Sequence, residues 1–435
     1  MGQGRGVGVR RALAAALVLA VAVRLLFAFG YWVGKPLNHD EQEYLELGRN
    51  LASGHGFSYD PIEAGQPEPE RFARAPLYPL LVAAVARMTA PTALIPALKV
   101  VQSLLGALSV WLIAVVARRA AGDSASLIAA WVASLYPPLA WLSAFVFSET
   151  LYVALAMANV VVLGGLVDGP GWDAEGGATT SRQWRLVAVG VIGGLAALTR
   201  PAHVFFLVLV GLWLVGTRRL SWALLVATGA LLVVAPWTVR NYVTYGRPVL
   251  IASEGGITFW TGNHPLSPGE GDMAANPAIK LDDQRIRASH PGLSAEQLEP
   301  IYYREALRTI ATNPWWWLRL EARKFFFLWV PIGPSYLLHS RLYLTTTWIA
   351  YGLVMPPGLV GLAVLWRRGP RPRALVLLLL SAVVACLTFL PQERFRIPVI
   401  DPALIVGAAA TGGLVLSGRR RPPSRASADG VVPVC

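Results

Sequence analysis

Long apolar runs separated by short polar ones set the pattern of this chain. Runs near the ~20 residues that a helix needs to cross a hydrocarbon layer occupy 11–30, 94–116, 126–141, 148–167, 186–199, 202–216, 221–239, 341–366, 374–390 and 397–416. They predict an all-α polytopic membrane protein with ten spans, or up to twelve if residues 325–336 hide a hairpin or re-entrant piece. A shorter apolar stretch, 75–90, carries Arg87 and is expected to lie at the membrane surface as an interfacial helix. The same is expected where Trp315-Trp316-Trp317, Phe325-Phe326-Phe327 and Trp329 interleave with Arg319, Arg323 and Lys324, an amphipathic aromatic belt.

Basic residues mark cytoplasmic ends, and they fall with one parity along the chain. Arg10-Arg11, Arg118-Arg119, Arg182 with Arg185, Arg218-Arg219, Arg367-Arg368 and Arg419-Arg420-Arg421 share one side when the ten runs are threaded in turn. Both termini are then cytoplasmic, and the first run reads as a retained signal-anchor, because no small-x-small cleavage site follows it. The expected organisation is a membrane module over 1–239 with an external loop at 31–92. A mixed extracytoplasmic region follows over 240–339, polar and rich in Pro and Gly up to Pro300, then transmembrane helices over 340–417 and a disordered cytoplasmic tail, 418–435.

Composition narrows the class. Of 435 residues 55% are hydrophobic and only 14% charged, against about 25% in ordinary soluble proteins. The net charge of +13 comes from arginines clumped between apolar runs, which points to topology and anionic headgroups rather than nucleic acid. Cys386 lies inside an apolar run and Cys435 at the extreme C-terminus, so neither a disulfide framework nor a thiol metal motif is expected.

Several charges resist the topological explanation. Asp40, Glu41, Arg74, Glu149, Arg200, Arg240, Arg394 and Arg396, with His203, Asn263 and His264, all fall at external ends or turns. Ionisable groups near a bilayer are costly unless they pair or line a wet cavity, so their convergence on one level predicts a site there. The cluster Asn38-His39-Asp40-Glu41-Gln42-Glu43-Tyr44 has a plainer reading, a surface helix with Asn38 or Asp40 as N-cap and acids in its first turn. Carboxylates opposed by arginines on a face away from ATP, with no phosphate-binding glycine loop in the chain, suit transfer from a lipid-linked phosphate. Arginine forks bind the phosphate and stabilise its charge as it departs, while a nearby Asp takes the proton of the attacking hydroxyl. No cofactor is expected. A divalent cation on Asp40, Glu41, His264 and Asp272 is compatible with residue type, but no tight spacing asks for one.

In order and context these landmarks resemble bacterial GT-C glycosyltransferases, the group of the protein O-mannosyltransferases and lipid A aminoarabinose transferases. The resemblance rests on His39-Asp40-Glu41-x-x-Tyr44, Arg74-Ala75-Pro76-Leu77-Tyr78-Pro79, Ser148-Glu149-Thr150, Leu198-Thr199-Arg200-Pro201, Arg240-Asn241-Tyr242, Gly262-Asn263 and Glu393-Arg394-Phe395-Arg396-Ile397-Pro398. It implies a multi-pass enzyme of the plasma (inner) membrane, moving a sugar from a polyprenyl-phosphate donor to an envelope acceptor (lipid, glycan or protein) on the extracytoplasmic face, with inversion. Asp40 would be the catalytic base with Glu41 beside it, and Arg74, Arg200, Arg394 and Arg396 would hold the donor phosphate. At Arg74 the family often has His or Lys, and Ala75 replaces a Pro. A flippase for lipid-linked glycans would also want outer-face arginines, but it calls for ionisable groups at mid-bilayer and repeated halves, which the sequence lacks. A non-enzymatic envelope scaffold would want heptads or a large partner domain, also lacking.

Overall fold

A computed structural model describes residues 2–32, 34–58, 74–168, 172, 180–368 and 372–418. Among these residues there is no strand, and the chain is a succession of helices. They are α1 (Gly2–Leu25, prolonged by a π-helical turn Leu26–Tyr31), α2 (His39–Ser53), α3 (Leu77–Met88), α4 (Leu94–Leu135), α5 (Pro137–Leu142), α6 (Glu149–Val167), α7 (Thr180–Thr199), α8 (His203–Gly216) and α9 (Leu220–Tyr245). The second half holds α10 (Gly255–Gly262), α11 (Pro277–Ser289), α12 (Ala295–Thr312), α13 (Pro314–Trp329), α14 (Arg341–Arg368), α15 (Arg373–Thr388), α16 (Glu393–Arg396) and α17 (Ile400–Gly418). The calls on 59–73, most of the 169–179 loop and the tail from 419 lie outside the described residues.

All ten apolar runs are helical. Two of them share α4, whose helix breaks at Ala121 (φ −148°) and Gly122 (φ 83°), the latter a backbone angle that glycine adopts without a Cβ penalty. The chain reverses at that break, because Gly106 and Ala133 both meet the same side chain. Arg24 donates to the Ala133 carbonyl at 3.5 Å, and a Cβ on Gly106 would stand 2.4 Å from Arg24 Nε. Among the described residues five helical stretches are long and apolar enough to cross a membrane by length and composition, the folded-back α4 counting once. The runs in α8, α15 and α17 are shorter apolar helices.

Glycines let these helices approach to backbone contact, as is common where small residues face each other in a membrane. A Cβ on Gly190 of α7 would lie 2.0 Å from the Val226 carbonyl of α9, and one on Gly361 of α14 would lie 1.8 Å from the Gly407 carbonyl of α17. With the bundle closed this way, the polar helix ends gather at one level.

The polar region rich in Pro and Gly up to Pro300 holds α10, α11 and the start of α12, joined by loops. Its start signals were present: Pro277 opens α11 at a position where the missing N–H costs nothing, and Ser294 with Gln297 forms a capping box before α12. After α13 the chain turns extended at Val330 and makes a short 3-10 turn, Pro334–Leu338, in place of a hairpin.

Candidate active site

α2 begins with a complete capping box. The Asn38 side chain accepts from Glu41 N at 3.0 Å, and Glu41 Oε2 accepts from Asn38 N at 3.0 Å. The other Glu41 oxygen accepts from Val146 N at 2.8 Å, so this 1% exposed carboxylate is spent on backbone groups. Successive helix residues are about 100° apart, and Asp40 therefore leaves the helix on a different side, toward a cavity. The cap is Asn38, which leaves the Asp40 side chain free of that duty.

Arginines from distant segments meet Asp40. Arg74 Nη2 donates to Oδ1 at 2.6 Å, and Arg394 Nη1, from α16, donates to Oδ2. Arg74 is held in turn by Glu43 (Nε to Oε2, 2.8 Å) and Glu254 (3.3 Å), with its guanidinium 5.3 Å above the Tyr44 ring. Glu149, fully buried at the head of α6, gathers the other two: its Oε1 accepts from Arg394 Nε and lies against Arg200 Nη1, each at 2.8 Å. Tyr44 closes the back wall, donating to Ser148 Oγ at 3.2 Å.

Asp40, Tyr44, Arg74, Ser148, Arg200, Glu254 and Arg394 line a polar cavity of about 240 Å³, with Asp272, Thr258 and Gln392 completing its wall and Glu43 and Glu149 holding the arginines from behind it. Beside it lies a mainly apolar cavity of about 190 Å³, walled by Tyr152, Ala382, Cys386, Phe389 and Val399. The two share Arg200, Pro201, Glu254, Thr258, Leu390 and Phe395, so one wall of arginine and aromatic ring faces both. Burial pushes the Asp40 carboxyl upward, but Arg394 and Arg74 outweigh it and hold the group well below the usual carboxylate range. Glu254, 39% exposed at the cavity, is shifted upward by desolvation, with Arg74 opposing.

Of the residues singled out in the sequence, Asp40, Tyr44, Arg74, Glu149, Arg200 and Arg394 are brought together. The others are not. Glu41 caps α2 behind the cavity, as described. Arg396, 2% exposed, turns away from it to Asp401 (3.3 Å), the Tyr336 hydroxyl (3.3 Å) and the Tyr351 ring. His203 is buried between Tyr152 (3.2 Å) and Phe206, and Arg240 bonds Tyr245 (3.1 Å) over the Trp237 ring. Asn263 ties α10 to α13 by accepting from Lys324 (3.1 Å) and Trp317 (3.0 Å), and His264 faces Asp282 at 3.5 Å. Among the described residues no set of three or more His, Cys, Asp or Glu side chains could hold a metal ion.

Sequence reasoning overlooked Glu254 and Gln392, and it had Glu43 only as an acid of the α2 cluster and Asp272 only as a residue compatible with a cation. Glu254 had a signal, since an acid opening a short apolar helix, Glu254-Gly255-Gly256, repeats the form of Ser148-Glu149-Thr150. Asp272 and Gln392 meet only through tertiary contact, Gln392 Nε2 donating to Asp272 Oδ2 at 3.1 Å.

No protein-family model matches the chain, and no curated protein does. Solved structures do. The archaeal oligosaccharyltransferase AglB from Archaeoglobus fulgidus, in complex with an inhibitory peptide and a dolichol-phosphate, superposes with a TM-score of 0.57 at 15% identity, over 93% of this chain and 50% of that one. The apo form of the Archaeoglobus fulgidus oligosaccharyltransferase gives a TM-score of 0.60 at 17% identity, over 95% of this chain and 51% of that one. The chain thus spans about half the length of these enzymes and shares the fold of that half. ArnT from Cupriavidus metallidurans bound to undecaprenyl phosphate matches more loosely, with a TM-score of 0.44 at 16% identity over 98% of this chain and 82% of that one. The fold expected from the motifs, all-helical and of the kind found in membrane glycosyltransferases, is the fold found.

Proposed function

We propose that this protein is an inverting glycosyltransferase of the plasma membrane that transfers a sugar from a polyprenyl-phosphate donor to an envelope acceptor on the extracytoplasmic face. The observation that carries the reading is the shared wall: a polar cavity of carboxylates and arginines abuts an apolar cavity across Arg200, Leu390 and Phe395. A lipid phosphate has that duality. Its phosphate would sit on Arg200 and Arg394, its first isoprene units against Phe389, Cys386 and Val399, and its sugar beside Asp40. That one AglB structure holds a dolichol-phosphate agrees with a donor of this kind.

Pinned by two guanidiniums, Asp40 is a weak base. A phosphate arriving on Arg394 competes for the same donors. The Asp40 carboxylate then loses a stabilising partner and its proton affinity rises, so the base is armed by donor binding. The acceptor hydroxyl attacks the anomeric carbon, its proton passes to Asp40, and the bond from that carbon to the phosphate oxygen breaks with its electron pair on the oxygen. Arg200 and Arg394 neutralise the resulting polyprenyl phosphate.

Proteoliposomes carrying the full chain and radiolabelled polyprenyl-phosphate sugars test this. Asp40→Asn should fold, since Asn38 supplies the cap, and should lose on the order of 10²–10⁴ in transfer rate. Near-normal transfer by that variant would remove Asp40 as base, and absence of transfer by the wild type across a panel of donors and envelope acceptors would count against the whole assignment.

A further inference from the structure

The largest hollow among those described lies away from the ion-paired site. It is an open groove of about 910 Å³ between the segment that follows α9 and one face of α12, lined by Arg247, Pro248, Tyr303, Arg304, Leu307 and Arg308 among others. On α12, Leu298, Tyr302 and Ala306 repeat every four residues and are 2%, 2% and 1% exposed. Arg304 and Arg308, offset by two residues from that row, stand on the opposite side of the helix. Two guanidiniums four residues apart repel each other, and Arg247 adds a third. All three are exposed, and among the described residues none is in ion-pair contact with a carboxylate. The two acids on the groove wall do not compensate them: Glu299 accepts from Gly256 N at 3.0 Å, and Glu296 is 6% exposed.

The groove is cationic at its rim and apolar along its floor, where Leu307 is 56% and Tyr303 36% exposed. It also continues an apolar surface. Arg247 lies two residues past the end of α9, a helix long and apolar enough to cross a membrane, which exposes Leu231, Leu232, Val239, Tyr242 and Val243. A soluble anion would satisfy the arginines and leave the floor bare, and a neutral lipid tail would do the reverse. We propose that this groove binds an anionic glycerophospholipid, the phosphodiester on Arg247, Arg304 and Arg308 and an acyl chain along the exposed face of α9. The site is separate from the ion-paired cavity and would stand even if the glycosyltransferase reading failed.

The test is a thermal-shift and native mass spectrometry titration of the full chain in detergent with short-chain phosphatidylglycerol, phosphatidylcholine and inorganic phosphate. Wild type should retain phosphatidylglycerol and be stabilised by it. Phosphatidylcholine, whose choline offsets the phosphate charge, should bind more weakly. Arg247→Gln/Arg304→Gln/Arg308→Gln should bind phosphatidylglycerol roughly a hundredfold more weakly, while Arg319→Gln/Arg323→Gln, two exposed arginines of α13 outside the groove, should bind as wild type does. If the triple variant unfolds, the single Arg308→Gln change keeps the comparison. Equal phosphatidylglycerol binding by the groove variants, equal retention of phosphatidylcholine by wild type, or full displacement of phosphatidylglycerol by inorganic phosphate would each overturn the proposal.

Discussion

Arg394 and Arg396 lie two residues apart in one turn, and replacing each by lysine should separate binding from stability. Arg394 spans the site by making Nε to Glu149 at 2.8 Å and Nη1 to Asp40 at once. A lysine ammonium is a point donor and keeps one of those contacts. In the proposed complex the same limit applies to the phosphate, where one charge-assisted bond of about 1.5–3 kcal/mol would be lost. At 1.4 kcal/mol per tenfold, that is about 10- to 100-fold in kcat/KM for the donor. Arg396 has no place on the cavity wall; it neutralises buried Asp401, which also accepts from the Tyr136 hydroxyl at 2.9 Å. Arg396→Leu strands that acid, at a cost of about 3–5 kcal/mol, and Arg396→Lys less. Transfer kinetics and thermal unfolding of both lysine variants, normalised to folded protein, should therefore show Arg394→Lys low in kcat/KM with a modest change in Tm and Arg396→Lys the reverse. The argument fails if Arg394→Lys transfers as wild type does, or if Arg396→Lys at full folded fraction loses as much donor affinity as Arg394→Lys.

Two further outcomes follow from packing and titration. Gly190→Ala should lower Tm, because its Cβ would press on backbone of α9, an overpacking cost of about 1–3 kcal/mol, whereas Gly211→Ala in α8, with nothing within 4 Å, should not. Burial of Glu270 pushes its carboxyl up to about 7, despite hydrogen bonds from Ser335 N and Oγ. The fold thus holds that proton more tightly than the unfolded chain, so this group's contribution to stability is fully present below about pH 4.5 and is lost as pH rises through about 7, by about 3 kcal/mol at most. Hydrogen exchange across 263–276 should show that slope in wild type and lose it in Glu270→Gln; equal slopes would refute the assignment.

The bundle was legible because span length and arginine parity are one-dimensional signals. All ten runs became helices, and the reversal inside α4 falls beside Arg118-Arg119, where parity had put a turn. The polar residues converged for the same reason: Asp40, Arg74, Glu149, Arg200 and Arg394 sit at apolar-run boundaries that threading brings to one face. Asp272 and Glu254 were out of reach of that logic, since they come from a region without spans, where position depends on how α10, α11 and α12 pack.

What threading leaves open is which of two neighbouring charges faces inward, and local helix geometry decides it. A helix turns about 100° per residue, so residues one or two apart cannot share a cavity wall unless the wall wraps the helix. For Asp40 and Glu41 the sequence already held the answer: Asn38-x-x-Glu41 is the spacing of a capping box, which commits the glutamate to the Asn38 backbone and leaves the aspartate for other work. Arg394 and Arg396 differ by about 200° in the same way, so only one could reach the cavity that also holds Asp40. Asp401, in the first turn of the next helix after Ile397-Pro398, selects Arg396 as its buried partner, and Arg394 is left for Asp40 and Glu149. Charge at the right depth nominates a residue for the site, and helical phase chooses between nominees.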